Sequence, residues 1–213
     1  MANASPEEAE LQSALKAWAE KDARIVLFDL EKNGGISENT CCAFEKAKGE
    51  FVALFDHDDL LTPDALFEYV KAVNENPDVQ FLYCDEDKVT EDSEYYFFPN
   101  FKPDFNFDML MSNNYICHFL VVRRELAAKA GQWRKEYDGA QDFDFILRLL
   151  DHVNSDEKGV IVHIPKILYH WRSHAASTAK SQSTTGYASS AGERAVSDYL
   201  SRNHIAGTVS PSV

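Results

Sequence analysis

Two carboxylates one residue apart, Asp56 and Asp58, directly follow the continuous apolar run at 51–55. Such a run is typical of a strand buried on both faces, and in open α/β sheets ligands bind at the carboxyl ends of strands. Because alternate residues of an extended segment point the same way, both side chains can face one ligand. A hard cation such as Mn²⁺ or Mg²⁺ binds one or two carboxylates together with phosphate oxygens and waters. The pattern therefore favours a metal site for a diphosphate, although the same acids also fit a solvated turn before the helix that Pro63 begins.

Further polar residues that could take part in chemistry follow later in the sequence. Asp85 and Glu86 come after the next predicted strand, where they could contact a sugar or form an acidic turn. Asp142 opens a predicted helix, whose free N–H groups and dipole stabilise an ionised carboxylate; it could accept a proton or simply cap the helix. His118 and His170 lie in predicted strands, where a histidine is more often packed or exposed than a ligand. The residues alone leave each of these alternatives open.

The elements that would position these residues alternate between strand and helix. Apolar runs predict strands, and apolar residues at helical spacing predict helices. The predicted strands cover 24–30, 51–55, 79–84, 115–123 and 160–172, the last as a pair broken at Pro165. The predicted helices run from Ser5 past Trp18, over 37–48, from Thr62 past Val73, over 142–153 and over 191–203. This alternation predicts an α/β fold, with a mixed, mainly parallel sheet and flanking helices.

Two groups of apolar residues carry further predictions. In the helix after Thr62, helical spacing predicts a buried side made of Leu66, Phe67, Val70 and Val73. The segment from 90 to 114 is irregular, as long functional loops are, and rich in aromatic rings. These rings could stack on sugar faces, but packing in the core is favoured for most of them. The rings are Tyr95, Tyr96, Phe97, Phe98, Phe101, Phe105 and Phe107.

Composition narrows the class of protein. The 213 residues are 45% hydrophobic, enough for a packed core, and 21 Lys and Arg against 35 Asp and Glu give a net charge of −14. That charge argues against a nucleic-acid partner, because phosphate backbones need surfaces rich in Lys and Arg. The four cysteines form no C-x-x-C pattern, which predicts reduced, mostly buried thiols and no structural zinc site. No apolar run reaches the length of a membrane span, so the expectation is a cytoplasmic chain that could work at the inner face of the membrane through another part of a larger protein.

Several short motifs occur in a fixed order along nearly the whole chain, from about residue 4 to about residue 208. They are NGGIS at 33–37, GEFVALFDHDD at 49–59, YCDEDK at 83–88, FKPD at 101–104, GAQDFD at 139–144 and YHWR at 169–172. With these motifs the chain resembles the family 2 glycosyltransferases of the GT-A fold, and within them bacterial enzymes of surface-polysaccharide assembly, often rhamnosyl- or galactosyltransferases. The resemblance implies transfer of a sugar, with inversion and with Mn²⁺ or Mg²⁺, from a UDP- or dTDP-linked donor to a glycan or lipid-linked acceptor.

The resemblance also implies roles for individual positions. It implies that Asp58 binds the metal, that Asp56 faces the ribose or the metal's waters, and that Asp142 is the catalytic base. A further metal ligand would be His170, with His174 as the alternative. The nucleotide donor would be contacted by Gly35, Asp56, His57, Trp171 and Arg172, the last suited to a diphosphate by its two-pronged guanidinium. The acceptor side would be lined by Asp85, Glu86, His118 and Gln141.

The chain departs from that family at two places. Family members normally begin with a strand, a helix and a second strand that together form the base pocket, whereas this sequence resembles the part that follows them. The expectation is therefore a glycosyltransferase domain at 1–175, incomplete at its N-terminus, and a C-terminal tail at 176–213 with a helix at about 191–203. Cys41 stands where the family usually has an asparagine near the nucleotide. An excised piece of a longer protein, a wrongly placed gene start and a split or decayed gene all fit, and unpaired strand edges predict a homo-oligomer.

The sequence leaves two other functions open. One is a non-catalytic fragment or module of a larger glycosyltransferase, which binds a sugar or a partner chain. The other is a phosphate-handling enzyme such as a nucleotidyltransferase, which also places acids at strand ends. An enzyme of that kind favours a Gly-rich phosphate loop with a basic residue, and the loop at 33–37 has none.

Overall fold

Strands and helices alternate along most of the chain, as predicted, in the computed structural model, which describes residues 2–3, 8–154, 156–173 and 182–210. The strands are β1 (Ala2–Asn3), β2 (Phe28–Asp29), β3 (Phe51–Ala53), β4 (Leu60–Leu61), β5 (Phe81–Thr90), β6 (Tyr96–Asn100), β7 (Val121–Arg123) and β8 (Ile161–Ser173). The helices are α1 (Ala9–Lys21), α2 (Ile36–Lys46), α3 (Ala65–Glu75), α4 (Phe107–Ser112), α5 (Arg124–Ala130), α6 (Gln141–Leu150) and α7 (Gln182–Arg202), with a short 3₁₀ helix at Lys135–Tyr137. No helix in these ranges combines the length and the apolar character needed to cross a membrane.

Six strands form one mixed sheet in the order β3-β7-β5-β8-β4, with β6 alongside β5. β7 lies antiparallel between β3 and β5, β8 runs parallel to β5, and β4 and β6 pair antiparallel with β8 and β5. The mixed α/β fold with flanking helices is confirmed, but the expected predominance of parallel pairing is wrong for this sheet. β3 and β5 do run in the same direction, and the insertion of β7 between them replaces one parallel contact by two antiparallel ones. β1 and β2 form a separate parallel pair.

β8 is a single strand and not the predicted pair. Pro165 has no N–H to donate to a neighbouring strand, so a proline in a strand is expected at a bulge or an edge. The register between β5 and β8 shifts where Pro165 lies, after the Cys84–Ile164 pair and before the Asp85–Ile167 pair. The strand therefore continues past the proline, and its YHWR motif lies next to β5 and β4.

Other predicted boundaries also change. The predicted strand at 24–30 is reduced to β2, and the predicted strand at 115–123 is reduced to β7. α7 begins at Gln182, well before the predicted start near residue 191, and its Ala191, Ala195 and Tyr199 pack into the main core. The predicted helix start at Ser5 and the predicted domain boundary near residue 175 lie outside the described residues, and the division into a domain and a tail stays a prediction.

The core occupies both faces of the sheet. Successive residues of β5 enter different clusters, because side chains of a strand alternate between its faces. Phe81 and Tyr83 pack with α5, α6 and α7, whereas Leu82 and Cys84 pack with α3 and β8. The sheet is thus covered by helices on both sides, and this layered core positions the loops at the ends of the strands.

The predicted buried face of α3 is wrong for three of its four residues and holds for Val73, which is half-buried and packs against the core. Leu66, Phe67 and Val70 are 68%, 66% and 60% exposed, whereas the buried positions include Ala65 and Tyr69. Tyr69 packs its ring edge-on against the Phe119 ring and donates its hydroxyl to the Phe119 carbonyl oxygen at 2.6 Å. Because a buried hydroxyl needs such a partner, this contact helps to fix Tyr69 on the buried side of the helix.

The aromatic segment is more ordered and more exposed than predicted. It forms β6 and α4, and its Phe105 and Phe107 pack against the core, as predicted for most of its rings. The prediction is wrong for four others, which are largely exposed: Tyr95, Tyr96, Phe98 and Phe101. β6 has only β5 as a neighbour among the described strands, and its rings meet a few aromatic neighbours without being covered: Tyr96 meets the His170 ring, and Tyr95 and Phe98 contact the Phe97 ring.

Candidate active site

The acidic loop between β3 and β4 turns one carboxylate inward and two outward. Asp59 is 6% exposed; one of its oxygens accepts the Tyr169 hydroxyl, and the other accepts the Arg172 backbone N–H at 2.8 Å. Burial raises the pKa of the Asp59 carboxyl, against the opposing effect of these two donors. The Asp56 and Asp58 side chains are 51% and 34% exposed. Asp59 thus anchors the loop on β8, while the two acids of the D-x-D pattern face the outside.

The Arg172 side chain ties the same loop to the turn between β5 and β6. Its Nε donates to the Asp58 carbonyl oxygen at 2.5 Å, and its Nη1 donates to the Glu91 carbonyl oxygen and to the Ser93 hydroxyl, both at 2.6 Å. The sequence predicts a contact between Arg172 and a diphosphate, whereas the structure places its guanidinium on protein atoms. In this arrangement it positions the acidic loop.

His170 and Trp171 follow each other on β8 and have different partners. His170 Nδ1 lies 2.5 Å from Asp87 Oδ1, and its ring meets Tyr96 nearly edge-on. The Lys88 ammonium lies over the Trp171 ring, 5.0 Å from its centroid. The predicted metal ligand His170 is therefore already paired with a carboxylate through one nitrogen, and the predicted roles of both residues stay predictions.

The His118 imidazole is the centre of the site. Its Nε2 lies 3.5 Å from Asp56 Oδ2, and its ring stacks on Tyr169 with the centroids 5.1 Å apart. The contact with His118 lowers the pKa of Asp56. Burial lowers the pKa of His118, but the hydrogen bond with Asp56 and the nearby carboxylates of Asp142 and Glu86 outweigh that effect and raise the pKa above its usual value. The acidic groups around His118 thus stabilise the protonated form of its imidazole relative to a histidine in solvent.

A buried ion pair holds the backbone around His118. Glu86 Oε2 accepts the His118 backbone N–H at 2.6 Å and the Lys102 ammonium at 3.1 Å, and its Oε1 accepts Asn100 Nδ2 at 3.3 Å. The same ammonium also donates to the carbonyl oxygens of Ile116 and His118. Two side chains therefore bind both the N–H and the C=O of residue 118.

Asp85 and Glu86, which the sequence predicts on the acceptor side, are buried within β5. Asp85 is 3% exposed and accepts the Lys102 backbone N–H at 2.9 Å and His163 Nε2 at 2.8 Å. The strand continues through these acids because each of them meets a buried donor. In the structure Glu86 binds the His118 backbone N–H, and Asp85 binds the backbone N–H of Lys102. Contact with a sugar stays a prediction for both.

Asp142 also lies close to His118. It is the second residue of α6, whose N-cap is Ala140, and it accepts Asn114 Nδ2 at 3.0 Å. Ligand atoms of Asp142, His118 and Cys117 all lie within 4.8 Å of one another. Asp142 is half-buried and does not cap the helix through its side chain. The structure therefore brings together Asp56, His118 and Asp142 from three separate parts of the chain.

Sequence comparison decides the family. The model of Glycosyl transferase family 2 matches residues 4–131. This chain belongs to that family. The uncharacterized protein y4gI of Sinorhizobium fredii is 39% identical over 193 residues, which are 91% of this chain and 21% of that protein. The O-antigen biosynthesis protein RfbC of Myxococcus xanthus is 37% identical over 192 residues, which are 90% of this chain and 15% of RfbC. This glycosyltransferase chain thus spans about a fifth of the length of these relatives, or less.

Solved structures with the same fold are glycosyltransferases. S. aureus TarS, in complex with UDP-GlcNAc, has a TM-score of 0.66 at 16% identity, over 95% of this chain and 62% of the TarS chain. The mannosyltransferase PcManGT from Pyrobaculum calidifontis, in complex with GDP-Man and Mn²⁺, has a TM-score of 0.57 at 16% identity, over 98% of this chain and 66% of PcManGT. The GT-A fold that the sequence predicts is confirmed by these similarities.

Three further predicted site residues of this glycosyltransferase lie in separate parts of the chain: directly before α2, between β3 and β4, and at the first residue of α6. Gly35 begins α2 with φ of 92°, a conformation that favours glycine, and a Cβ there would come within 3.4 Å of an Asp138 oxygen. The His57 side chain is 99% exposed. Gln141 accepts the backbone N–H two residues earlier at 2.8 Å. Their contacts with donor or acceptor stay predictions, and His174 lies outside the described residues.

Sequence reasoning missed three residues that support the site: Asp59, Lys102 and Tyr169. Each lies in a motif that carries the family resemblance. Membership of such a motif was the sequence signal that could have identified these residues. A motif does not show which of its residues contacts a substrate and which holds another residue in place. That distinction depends on partners that are distant in sequence, such as Tyr169 for Asp59.

Proposed function

We propose that this family 2 glycosyltransferase domain transfers a sugar from a nucleotide-diphosphate donor to a glycan or lipid-linked acceptor, with inversion and with a divalent metal. One observation carries the proposal: the His118 imidazole contacts Asp56 of the β3–β4 loop and lies close to the carboxylate of Asp142. A metal-assisted displacement needs one acidic group on the donor side and one on the acceptor side. This arrangement supplies both around a single imidazole.

The donor side would be built from Asp58 and Asp56. Both carboxylates are partly exposed, and hard oxygen donors of this kind suit Mn²⁺ or Mg²⁺. The anchoring of Asp59 and the Arg172 bond to the Asp58 carbonyl oxygen hold the loop in place for that task. The metal would neutralise the charge of the leaving diphosphate. His170 could join only through Nε2, because its Nδ1 is bonded to Asp87.

The acceptor side would be built around Asp142 as the base. The acceptor hydroxyl would give its proton to an Asp142 oxygen, and the acceptor oxygen would form a bond to the anomeric carbon. The bond from that carbon to the diphosphate oxygen would break, and its electron pair would leave with the diphosphate. One carboxylate is enough, because attack and departure occur in one displacement. Asn114 orients the carboxylate, and a carboxylate held in this way can act as a general base.

The identities of donor and acceptor belong to the proposal as well. TarS is in complex with UDP-GlcNAc and PcManGT with GDP-Man; a UDP- or dTDP-linked donor is proposed here from the sequence resemblance. The name of RfbC, an O-antigen biosynthesis protein, supports a glycan or lipid-linked acceptor. A homo-oligomer remains part of the proposal, and a monomeric mass in light scattering would count against it.

Calorimetric titration with UDP, with and without Mn²⁺, tests the donor side. We expect binding that depends on Mn²⁺ and is weakened at least roughly tenfold in Asp58→Ala, which removes a carboxylate ligand. The control is Asp78→Ala, an exposed acid before the other end of β5. A folded protein that binds no UDP with Mn²⁺ would overturn the proposed activity of this chain and favour a non-catalytic module of a larger glycosyltransferase.

A further inference from the structure

The proposed base, Asp142, lies close to two other side chains that could bind a metal ion, a thiol and an imidazole. The Cys117 thiol, a His118 ring nitrogen and an Asp142 carboxylate oxygen all lie within 4.8 Å of one another. In a tetrahedral zinc site, bonds of roughly 2.0–2.3 Å place neighbouring ligand atoms about 3.5 Å apart. Side-chain rotations that move each atom by about one ångström would therefore close the group around one ion.

Unpartnered buried atoms on His118 itself and on Asn114, the hydrogen-bond partner of Asp142, give a second observation. His118 Nε2 faces Asp56, but Nδ1 is shielded from solvent and has no hydrogen-bond partner among the described residues. Asn114, whose amide nitrogen bonds Asp142, has its own carbonyl oxygen buried without a partner. Buried polar atoms without partners are uncommon in folded proteins and point to a missing water or ion. An ion bound through Nδ1 would satisfy the imidazole completely.

We propose that Cys117, His118 and Asp142 form a binding site for a thiophilic divalent cation, with Zn²⁺ as the preferred ion. Thiolate and imidazole ligands select Zn²⁺ over Mg²⁺ and Mn²⁺, which prefer oxygen. The site is thus chemically distinct from the all-oxygen pair of Asp56 and Asp58. Three protein ligands leave a fourth position open, unlike a closed structural zinc site with four.

Zinc in this site would occupy the carboxylate that the proposed mechanism uses as its base. Sugar transfer should therefore be inhibited by Zn²⁺ at concentrations at which Mn²⁺ supports it. This second consequence rests on the proposed function, whereas binding of the ion does not. The two can fail separately, because ion binding is measured without donor or acceptor.

Cobalt titration of the metal-free chain tests the site directly. Co²⁺ replaces Zn²⁺ in such sites and gives a near-ultraviolet charge-transfer band only when a thiolate binds it. We expect one Co²⁺ per chain, a band that stoichiometric Zn²⁺ removes, and loss of the band in Cys117→Ser. The matched control is Cys42→Ser, another free and half-buried thiol, which should keep the band. Asp142→Asn should weaken Co²⁺ binding at least tenfold.

Two results would overturn the site. One is the absence of a cobalt–thiolate band in the wild-type chain, a result that needs no variant and is independent of how Cys117→Ser folds. The other is a band that survives Cys117→Ser and disappears in Cys42→Ser, which would place the ion near α2. Failure of UDP binding with a normal cobalt band would leave the ion site standing and remove only the proposed activity.

Discussion

Removal of the buried Lys102 ammonium should strongly lower the free energy of unfolding. Its side chain is fully buried, and Nζ donates to Glu86 Oε2 at 3.1 Å, to the Ile116 carbonyl oxygen at 3.2 Å and to the His118 carbonyl oxygen. In Lys102→Met the side chain keeps most of its packing and loses its positive charge. The Glu86 carboxylate, with a side chain only 10% exposed, then stays inside the protein without a counter-charge.

The expected loss follows from these contacts. Removing one partner of a buried ion pair costs roughly 3–5 kcal/mol, and each carbonyl oxygen left without its donor adds about 1 kcal/mol. Glu86 keeps two other donors, the His118 backbone N–H at 2.6 Å and Asn100 Nδ2 at 3.3 Å, which reduces the loss. We expect a fall of about 4 kcal/mol in the free energy of unfolding. For a chain of this size that is a decrease in melting temperature of roughly 8–16 °C.

Urea unfolding followed by circular dichroism measures this loss. The control is Lys129→Met on α5, an exposed lysine whose removal should change the free energy of unfolding by less than about 0.5 kcal/mol. Adding Glu86→Gln to Lys102→Met removes the isolated charge and should restore roughly 2 kcal/mol. If Lys102→Met is as stable as Lys129→Met, Lys102 is not the buried counter-charge, and the account of how residue 118 is held is wrong.

Four further predictions concern the site itself. Without added metal, the NMR titration of His118 should have a midpoint above the usual 6.5, and Asp56→Asn should lower that midpoint, because burial still lowers the pKa while a bond that raises it is lost; an unchanged midpoint would contradict the pairing. Folding raises the pKa of His118 from 6.5 and lowers that of Asp56 from 3.8. The contribution of this pair to stability is therefore complete between about pH 3.8 and 6.5. It is lost as the pH rises through the raised pKa of His118 or falls through the lowered pKa of Asp56. Tyr169→Phe removes a donor from the buried Asp59 and should cost about 1.5–3 kcal/mol in urea unfolding; wild-type stability would show that the bond is not made. Asp142→Asn should lower kcat by roughly 10²–10⁴ and leave UDP affinity unchanged, and an unchanged kcat would remove Asp142 as the base.

The acidic loop could be predicted because local sequence determines it. An apolar run followed by acids at alternate positions specifies a strand, its end and the direction of two side chains. In the structure β3 ends at Ala53, two residues before the predicted end, and the Asp56 and Asp58 side chains are partly exposed. The burial of the strand was not predictable in the same way. β3 lies at the edge of the described sheet with β7 as its neighbour, and a run of apolar residues carries no information about which strand lies beside it.

The acids of β5 show why a strand end was misplaced. A run of three charges normally marks the point where a strand leaves the core, since isolated buried charges are costly. In this fold Asp85, Glu86 and Asp87 each meet a basic partner from a distant part of the chain: His163, Lys102 and His170. A paired charge can remain inside, so the strand continues. No local pattern contains the pairing, because the partners lie on β8 and in the loop after β6.

His118 is the residue whose role is least predictable from the sequence and is explained most fully by the structure. A lone histidine in a strand-like segment has no local signature of function, whereas its role depends on contacts to three separate segments: Asp56 at its ring, Glu86 at its backbone N–H and Lys102 at its backbone C=O. Because each of these contacts is made only in the assembled fold, the raised pKa of His118 reports on the assembly of the whole site. A variant that folds normally but returns this pKa to its ordinary value has lost the arrangement on which the proposed transfer depends.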